Sequence, residues 1–365
     1  MVKNTLMVIG NGFDLQCKLN SCYRSFFDWL SEDDARANDN IWTVHFLNAQ
    51  YGGAGWVDIE NQLQKTLNKT ASRSNKNVGI HYNITLPKFW NEIAISYFKL
   101  KSNGGGHVYP RGKEADYLVE NVNRIGRSSF PLSSQWFLDE LKAFERQFSD
   151  YLQKEVNNNT DYISNAVKLI EMMSNDEDKI HILNFNYTNP FKLESSKSAD
   201  NTANNLIKSI TNVHGTCSEC NIIFGTDATE TLLPDTHIFT KTYRKMLQST
   251  PKNALPSNIE EIRFYGHSLG QADYSYFQSV FDYYNLYDGR RNDSWNGINP
   301  ITLKFYYTVY DDSKEIEIRR DAADSVYKLI SAYGDTLDNK DKGKNLMHKL
   351  LVEGRVQIIF IEGLD

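Results

Sequence analysis

Six short apolar runs, Thr5 to Ile9, Ile180 to Phe185, Ser209 to Val213, Glu261 to Tyr265, Ile301 to Val309 and Val356 to Ile361, each stand between turn or helix signals. A strand with one wet face alternates apolar and polar residues, whereas near-continuous apolar runs suit strands covered on both faces. Helical periodicity separates several of them. The stretch YSYFQSVFDYYNLY follows the fourth run, AADSVYKLISAYG follows the fifth and KNLMHKLLVEG precedes the sixth. The chain therefore reads as an α/β fold, a doubly wound, mostly parallel sheet of six strands flanked by helices.

The alternation breaks between the first and second runs. From about Trp29 to Asn175 there is no convincing strand, but there are helix-like stretches such as FWNEIAISYFKL and FLDELKAFERQFSDYLQKEV. This is read as a large helical insertion after the first βα unit, which gives a core of residues 1–28 plus 176–365 and an insertion of residues 29–175. The polar or Gly-rich segments TASRSNKN and KSNGGGHVYPRGKEADY read as surface loops.

Charge and cysteine content narrow the partners. A formal net charge of -6 argues against a chain built to coat nucleic acid, so a small molecule or a protein is the expected partner. Four cysteines, Cys17, Cys22, Cys217 and Cys220, are too few for a disulfide scaffold in a chain of 365 residues. The apolar start is short and runs into Asp14, so no signal peptide is expected, and no run is long enough for a transmembrane helix. The expected setting is cytoplasmic, with reduced thiols.

In an open parallel sheet, ligands bind beyond the carboxyl ends of the strands. Those ends carry GNGFD after the first strand, NFNYTNP after the second, HGT after the third and GHSLGQADYSYF after the fourth. Such residues approach phosphates and sugars or transfer protons. Gly10-Asn11-Gly12 is a GxG turn with Leu15 where the dinucleotide fingerprint has its third glycine. Its glycines permit close backbone approach and would leave amide N–H groups facing a diphosphate. Asp14 would repel that diphosphate unless it caps the helix or binds a ribose hydroxyl.

The ordered set IGNGFDL, SCYRSFFDWL, GWVDIE, FNYTN, NVHGT with IIFGTD, FTKTYRKM and GHSLGQADYSYF resembles the abortive-infection AbiH family, whose members look like divergent relatives of sirtuins. The resemblance implies a sirtuin-like, Rossmann-like sheet and carries over residue by residue. Gly10-Asn11-Gly12 is similar to the sirtuin diphosphate loop, Asn186 to the asparagine of the Thr-Gln-Asn-Ile-Asp motif, His214-Gly215 to the catalytic His-Gly, and Gly266-His267-Ser268 to the Gly-Thr-Ser motif. Two positions depart: Asp14 stands where sirtuins have a small polar or apolar residue, and Thr188 where they have an acid. Sirtuins begin a zinc ribbon where Cys217-x-x-Cys220 stands, but a tetrahedral site would need Cys17 and Cys22 as well, so no structural zinc is expected.

What the resemblance implies is an anti-phage protein that hydrolyses NAD, as substrate, to nicotinamide and ADP-ribose. His214 and Asn186 are its expected catalytic residues. Gly10, Asn11, Gly12, Asp14, Gly215, Gly266, Ser268 and Asp273 are expected to bind the nucleotide, with Asp273 equally placed to cap the helix that follows. Trp56, Asp58 and Glu60 in GWVDIENQL put two carboxylates near a helix start, either to complement its dipole or as an acidic site. Two other readings stay open. Asp14, Asp58, Glu60 and His214 could form a divalent-metal nuclease site, or the pocket could be a non-catalytic nucleotide sensor. The expected partners are a nucleotide, a phage trigger or partner protein and further copies of the chain in a homo-oligomer, with no membrane and no nucleic acid.

Overall fold

A computed structural model describes residues 3–33, 36, 40–49, 58–68, 134–175, 178–191, 206–227, 237–248, 253–291 and 298–364. Trp56, the helix-like FWNEIAISYFKL and the two polar segments expected as loops lie outside the described residues. The chain divides into two compact units, one of residues 1–21, 152–216 and 251–365, the other of residues 22–151 and 217–250.

The first unit holds the sheet. Its strands are β1 (Asn4–Ile9), β2 (Lys179–Asn184), β3 (Ile207–Asn212), β4 (Glu261–Tyr265), β7 (Thr302–Tyr307) and β8 (Val356–Phe360), while β5 (Arg290–Arg291) and β6 (Ile298–Asn299) form a separate antiparallel pair. The six run in the order β3-β2-β1-β4-β7-β8, and every neighbouring pair is parallel. All six fall where the apolar runs placed them.

Burial explains why those runs were continuous. From Thr5 to Ile9 every residue of β1 is buried, and successive side chains feed opposite cores. Leu6 and Val8 join Phe264, Phe277, Phe281, Leu329 and Ile330, drawing on the Tyr274–Tyr283 and Glu315–Thr336 helices. Met7 and Ile9 join Phe13, Tyr162, Leu169 and Ile170, drawing on the Asn11–Gln16 and Tyr162–Met172 helices. Helices on both faces are what makes the sheet doubly wound.

Strand β4 is buried throughout although it contains two charges. Arg263 donates to Glu261 and Asp178 at 2.8 Å each and to the Met173 carbonyl at 2.7 Å. Burial pushes the Glu261 carboxyl up, but hydrogen bonds from Lys3, Lys304 and Arg263 outweigh it and hold the group down at about 2. The charges are tolerated because each meets its opposite.

The chain leaves β1 toward β2 and β3, then returns across the sheet to β4 on the other side. At that switch point two glycine turns are clasped. The Gly10 N–H donates to the Tyr265 carbonyl at 3.1 Å, and the Gly12 N–H to the Gly266 carbonyl at 2.7 Å. A β-carbon on Gly12 would stand 2.7 Å from the Gly266 α-carbon. Gly266 has φ +69°, and a β-carbon there would lie 2.2 Å from the Phe13 amide nitrogen.

The second unit is built on aromatic helices. Phe26 of the Tyr23–Ser31 helix meets Phe144, Phe148 and Tyr151 with ring centroids 4.8–5.6 Å apart. Inside this unit the carboxylate of Glu145 receives Arg244 Nη2 and the Phe224 N–H, each at 2.7 Å, and Arg244 also donates to the Phe224 carbonyl at 2.7 Å. Glu60 pairs with the buried Lys241 at 2.8 Å. Three motifs are thereby tied together: GWVDIE through Glu60, IIFGTD through Phe224, and FTKTYRKM through Lys241 and Arg244. Among the described residues no helix is long and apolar enough to cross a membrane.

The clasp predicts the effect of one substitution. Gly266→Ala forces a left-handed alanine and a methyl group into the Phe13 amide, so urea denaturation is expected to show a loss of roughly 3 kcal/mol or more. A loss below about 1 kcal/mol would contradict the close approach of the two turns.

Candidate functional site

Four carboxyl ends of the sheet, those of β1, β2, β3 and β4, carry the polar side chains singled out from the sequence, and all four lie in the first unit. The turn after β2 is rich in asparagine because its backbone is held by asparagine side chains. Asn184 Nδ2 donates to the Thr188 carbonyl at 2.8 Å, and Asn184 Oδ1 accepts from the Asn186 N–H at 2.9 Å. From the end of β3, Asn212 Nδ2 reaches the carbonyls of Asn186 and Thr188 at 3.1 and 3.0 Å. Asn189 Nδ2 donates to Asn212 Oδ1 at 3.2 Å. Asn184, Asn189 and Asn212 are thus framework, and Asn186 is left to point elsewhere.

Asn186 meets Asp14. Asp14 lies within the Asn11–Gln16 helix and is 1% exposed. Its Oδ1 accepts from Tyr162 Oη at 2.8 Å and from Asn186 Nδ2 at 3.2 Å, and its Oδ2 accepts from Thr188 Oγ1 at 2.5 Å. Burial raises its pKa to about 6 against the lowering effect of Thr188, Tyr162 and Asn186. The same burial pushes the Tyr162 phenol well up, helped by the nearby Asp14 charge. Asn186 is 4% exposed, and its Oδ1 has no hydrogen-bond partner among the described residues.

A second cluster stands at the ends of β3 and β4. Asp273 occupies the N-cap position of the Tyr274–Tyr283 helix but makes no side-chain cap bond there. Its Oδ1 lies 2.9 Å from His214 Nε2 and its Oδ2 lies 3.3 Å from His267 Nε2. The Leu269 N–H donates to His267 Nδ1 at 2.9 Å, which makes that nitrogen the acceptor and leaves the proton on Nε2, facing Asp273. Leu269 holds this bond with φ +55°, a left-handed backbone that a leucine rarely adopts. The ring of Phe185 stands edge-to-face with both imidazoles, at 5.5 Å from His214 and 4.7 Å from His267, and Tyr276 lies 5.5 Å from His214. One carboxylate therefore bridges two histidines against an aromatic wall.

The remaining expected residues fall as follows. Gly215 has φ +82° and turns the chain directly after His214. Gly10, Gly12 and Gly266 form the clasp, and the N–H groups of Gly10, Gly12 and Phe13 are all spent on backbone carbonyls, so these three are not turned toward a diphosphate. Asn11 is exposed and accepts from Ser21 Oγ at 2.6 Å, and Ser268 is exposed. Asp58 and Glu60 belong to the second unit. There Asp58 Oδ1 accepts from the Asn61 N–H at 3.0 Å at the start of the Ile59–Asn68 helix, and Glu60 holds Lys241. None of the four cysteines is joined in a disulfide. Among the described residues no group of three or more His, Cys, Asp or Glu side chains is arranged to hold a metal ion.

Sequence reasoning did not identify Tyr162. It sits on a helix read as part of the insertion, and its only signal was a tyrosine at a helix start. The bridging of His214 and His267 by Asp273 was equally invisible, because 59 residues separate His214 from Asp273.

The family model of bacteriophage abortive infection AbiH matches residues 6–288. The chain belongs to the AbiH family. The match covers β1 from Leu6 onward, all of β2, β3 and β4 and every residue of both clusters, so the candidate site lies within the AbiH region. No curated protein and no solved structure matches the chain.

The raised pKa of Asp14 carries a stability consequence. Its folded pKa of about 6 exceeds the ordinary 3.8, so its favourable contribution is full below about pH 4 and is lost as pH rises through 6. Asp14→Asn removes the buried charge and keeps one acceptor oxygen in place of two. Thermal or urea unfolding is expected to find the variant more stable at pH 8, by on the order of 2 kcal/mol, with the gain vanishing toward pH 4. A variant less stable at pH 8 would contradict the uncompensated burial.

Proposed function

We propose that this AbiH protein, whose family serves phage abortive infection, acts by hydrolysing NAD to nicotinamide and ADP-ribose. The observation that carries the reading is the pairing, at the carboxyl ends of neighbouring parallel strands, of a buried Asn186 oxygen without a partner and a His214 ring held by Asp273. The strand order, counted along the six parallel strands as 3-2-1-4-5-6, is one shared with dinucleotide-binding sheets, and it supports a nucleotide as the ligand.

The roles follow from the chemistry. The bond between nicotinamide and the ribose breaks with its electron pair going to the pyridinium nitrogen, which becomes neutral. The sugar carbon is left cationic, as in glycoside hydrolysis. A water molecule adds to that carbon and its proton must be removed. With Asp273 receiving the Nε2 proton of His214, the basic lone pair falls on Nδ1, which suits His214 to take that proton. Asn186 Oδ1 would accept from the water or a ribose hydroxyl and so orient it. Phe185, Tyr187 and Tyr276 give His214 apolar walls.

The metal-dependent nuclease reading finds no such support. Of its four expected groups, Asp58 and Glu60 are engaged within the second unit, and Asp14 is surrounded by three hydrogen-bond donors in the first.

Purified protein, and cells expressing it during phage infection, should convert NAD to nicotinamide and ADP-ribose, followed by chromatography. His214→Ala and Asn186→Ala are each expected to slow turnover by about 100-fold or more. Asp273→Asn, which spoils the tautomer, should slow it by at least about 10-fold. NAD left intact both in vitro and in infected cells would overturn the hydrolase.

A further inference from the structure

The Asn186 carboxamide has two unlike ends, and the structure uses only one. Nδ2 donates to Asp14 Oδ1, while Oδ1 is buried and has no hydrogen-bond partner among the described residues. Reversing the amide would set its oxygen against the Asp14 carboxylate, two acceptors with no hydrogen between them. The carboxylate cannot turn to accommodate that reversal, because Tyr162 and Thr188 hold both of its oxygens from a different helix and from the β2 turn. The orientation of Asn186 is therefore imposed by Asp14.

We propose that Asp14 is a positioning residue that holds the Asn186 carboxamide oxygen-outward, so that Asn186 forms an acceptor subsite for an O–H donor. A phosphate oxygen, which only accepts, does not satisfy it. For an NAD-consuming site the donor is a ribose hydroxyl or the attacking water, and that part of the inference rests on the function proposed above. Asp14 is then neither a helix cap nor a direct ligand.

The other titratable groups of this core are held toward higher pH. Cys17, after the same helix, is pushed up by burial and by the Asp14 charge; Tyr162, from the facing helix, is pushed up by burial; and Tyr265, at the end of β4, is pushed up by burial to about 12. Thr188 and Asn186 do not titrate. When Asp14 takes up a proton, the pull on Asn186 Nδ2 weakens and the amide loses its fixed direction.

The test uses the full chain with isotope-labelled asparagine, the Asn186 side-chain amide being assigned by its disappearance in Asn186→Ala. In the ligand-free protein its protons are expected to shift with pH around a midpoint of about 6, and Asp14→Asn abolishes that dependence. In the same variant kcat/KM for NAD falls by roughly 10- to 100-fold, although the variant is the more stable protein. An NAD analogue without the hydroxyls of the nicotinamide-side ribose separates the two donors. If a ribose hydroxyl is the donor, Asn186→Ala costs nothing further on the analogue; if water is, the full cost remains. An Asn186 amide that ignores both pH and Asp14→Asn overturns the assignment even if NAD is consumed. A responsive amide in a protein that leaves NAD intact overturns the hydrolase and keeps Asp14 in its positioning role.

Discussion

A carboxylate buried with no cation beside it among the described residues is the interaction around which the carboxyl end of this sheet is arranged. Asp14 is 1% exposed, and it accepts from three neutral donors: a phenol, a hydroxyl and an amide. Burying such a group is costly unless every lone pair is met with good geometry. Meeting it requires Tyr162 from one helix and Asn186 and Thr188 from the turn after β2, so the charge sets the spacing of three chain segments. The framework asparagines around that turn serve the same end, since a loosely held turn could not deliver both Asn186 and Thr188 to one carboxyl group.

Two hydrogen-bonded clusters share this turn. Asn186 belongs to the Asp14 cluster, while its neighbours Phe185 and Tyr187 lie against His214. A shift of the turn is therefore felt by both. The imidazoles are fixed in turn by Asp273 and by a left-handed Leu269, a local strain that the close-packed glycine clasp beside it keeps in place. Each reacting group proposed here is held by a residue that does not itself react, which is how a site keeps its geometry before substrate arrives.

Much of the fold was legible because its physics is local. A strand covered on both faces must be apolar throughout, and all six parallel strands announced themselves in that way. The β5–β6 pair, with two residues in each strand, has no such signature. The strand-end rule brought His214, Asn186 and Asp273 into view, but it could not separate Asn186 from Asn184 and Asn189, since the distinction lies in which backbone carbonyls each amide reaches. Gly10 and Gly12 read as phosphate ligands because the sequence shows permissive backbone without showing what approaches it, and here it is Gly266 and His267. The partners of Asp14 were hidden by distance along the chain, 148 residues to Tyr162 and 174 to Thr188.

The two units are interleaved in sequence, each being completed by segments that lie beyond part of the other. During synthesis β1 emerges early, yet its neighbour β4 begins only at Glu261, after both segments of the second unit have been made. Until then the Gly10–Gly12 turn has nothing to close against, and His214 has no Asp273. Such long-range pairing is slow to form and depends on nearly the whole sheet segment being present. A chain that ends before Glu261 therefore lacks both the closed glycine clasp and the Asp273 partner of His214.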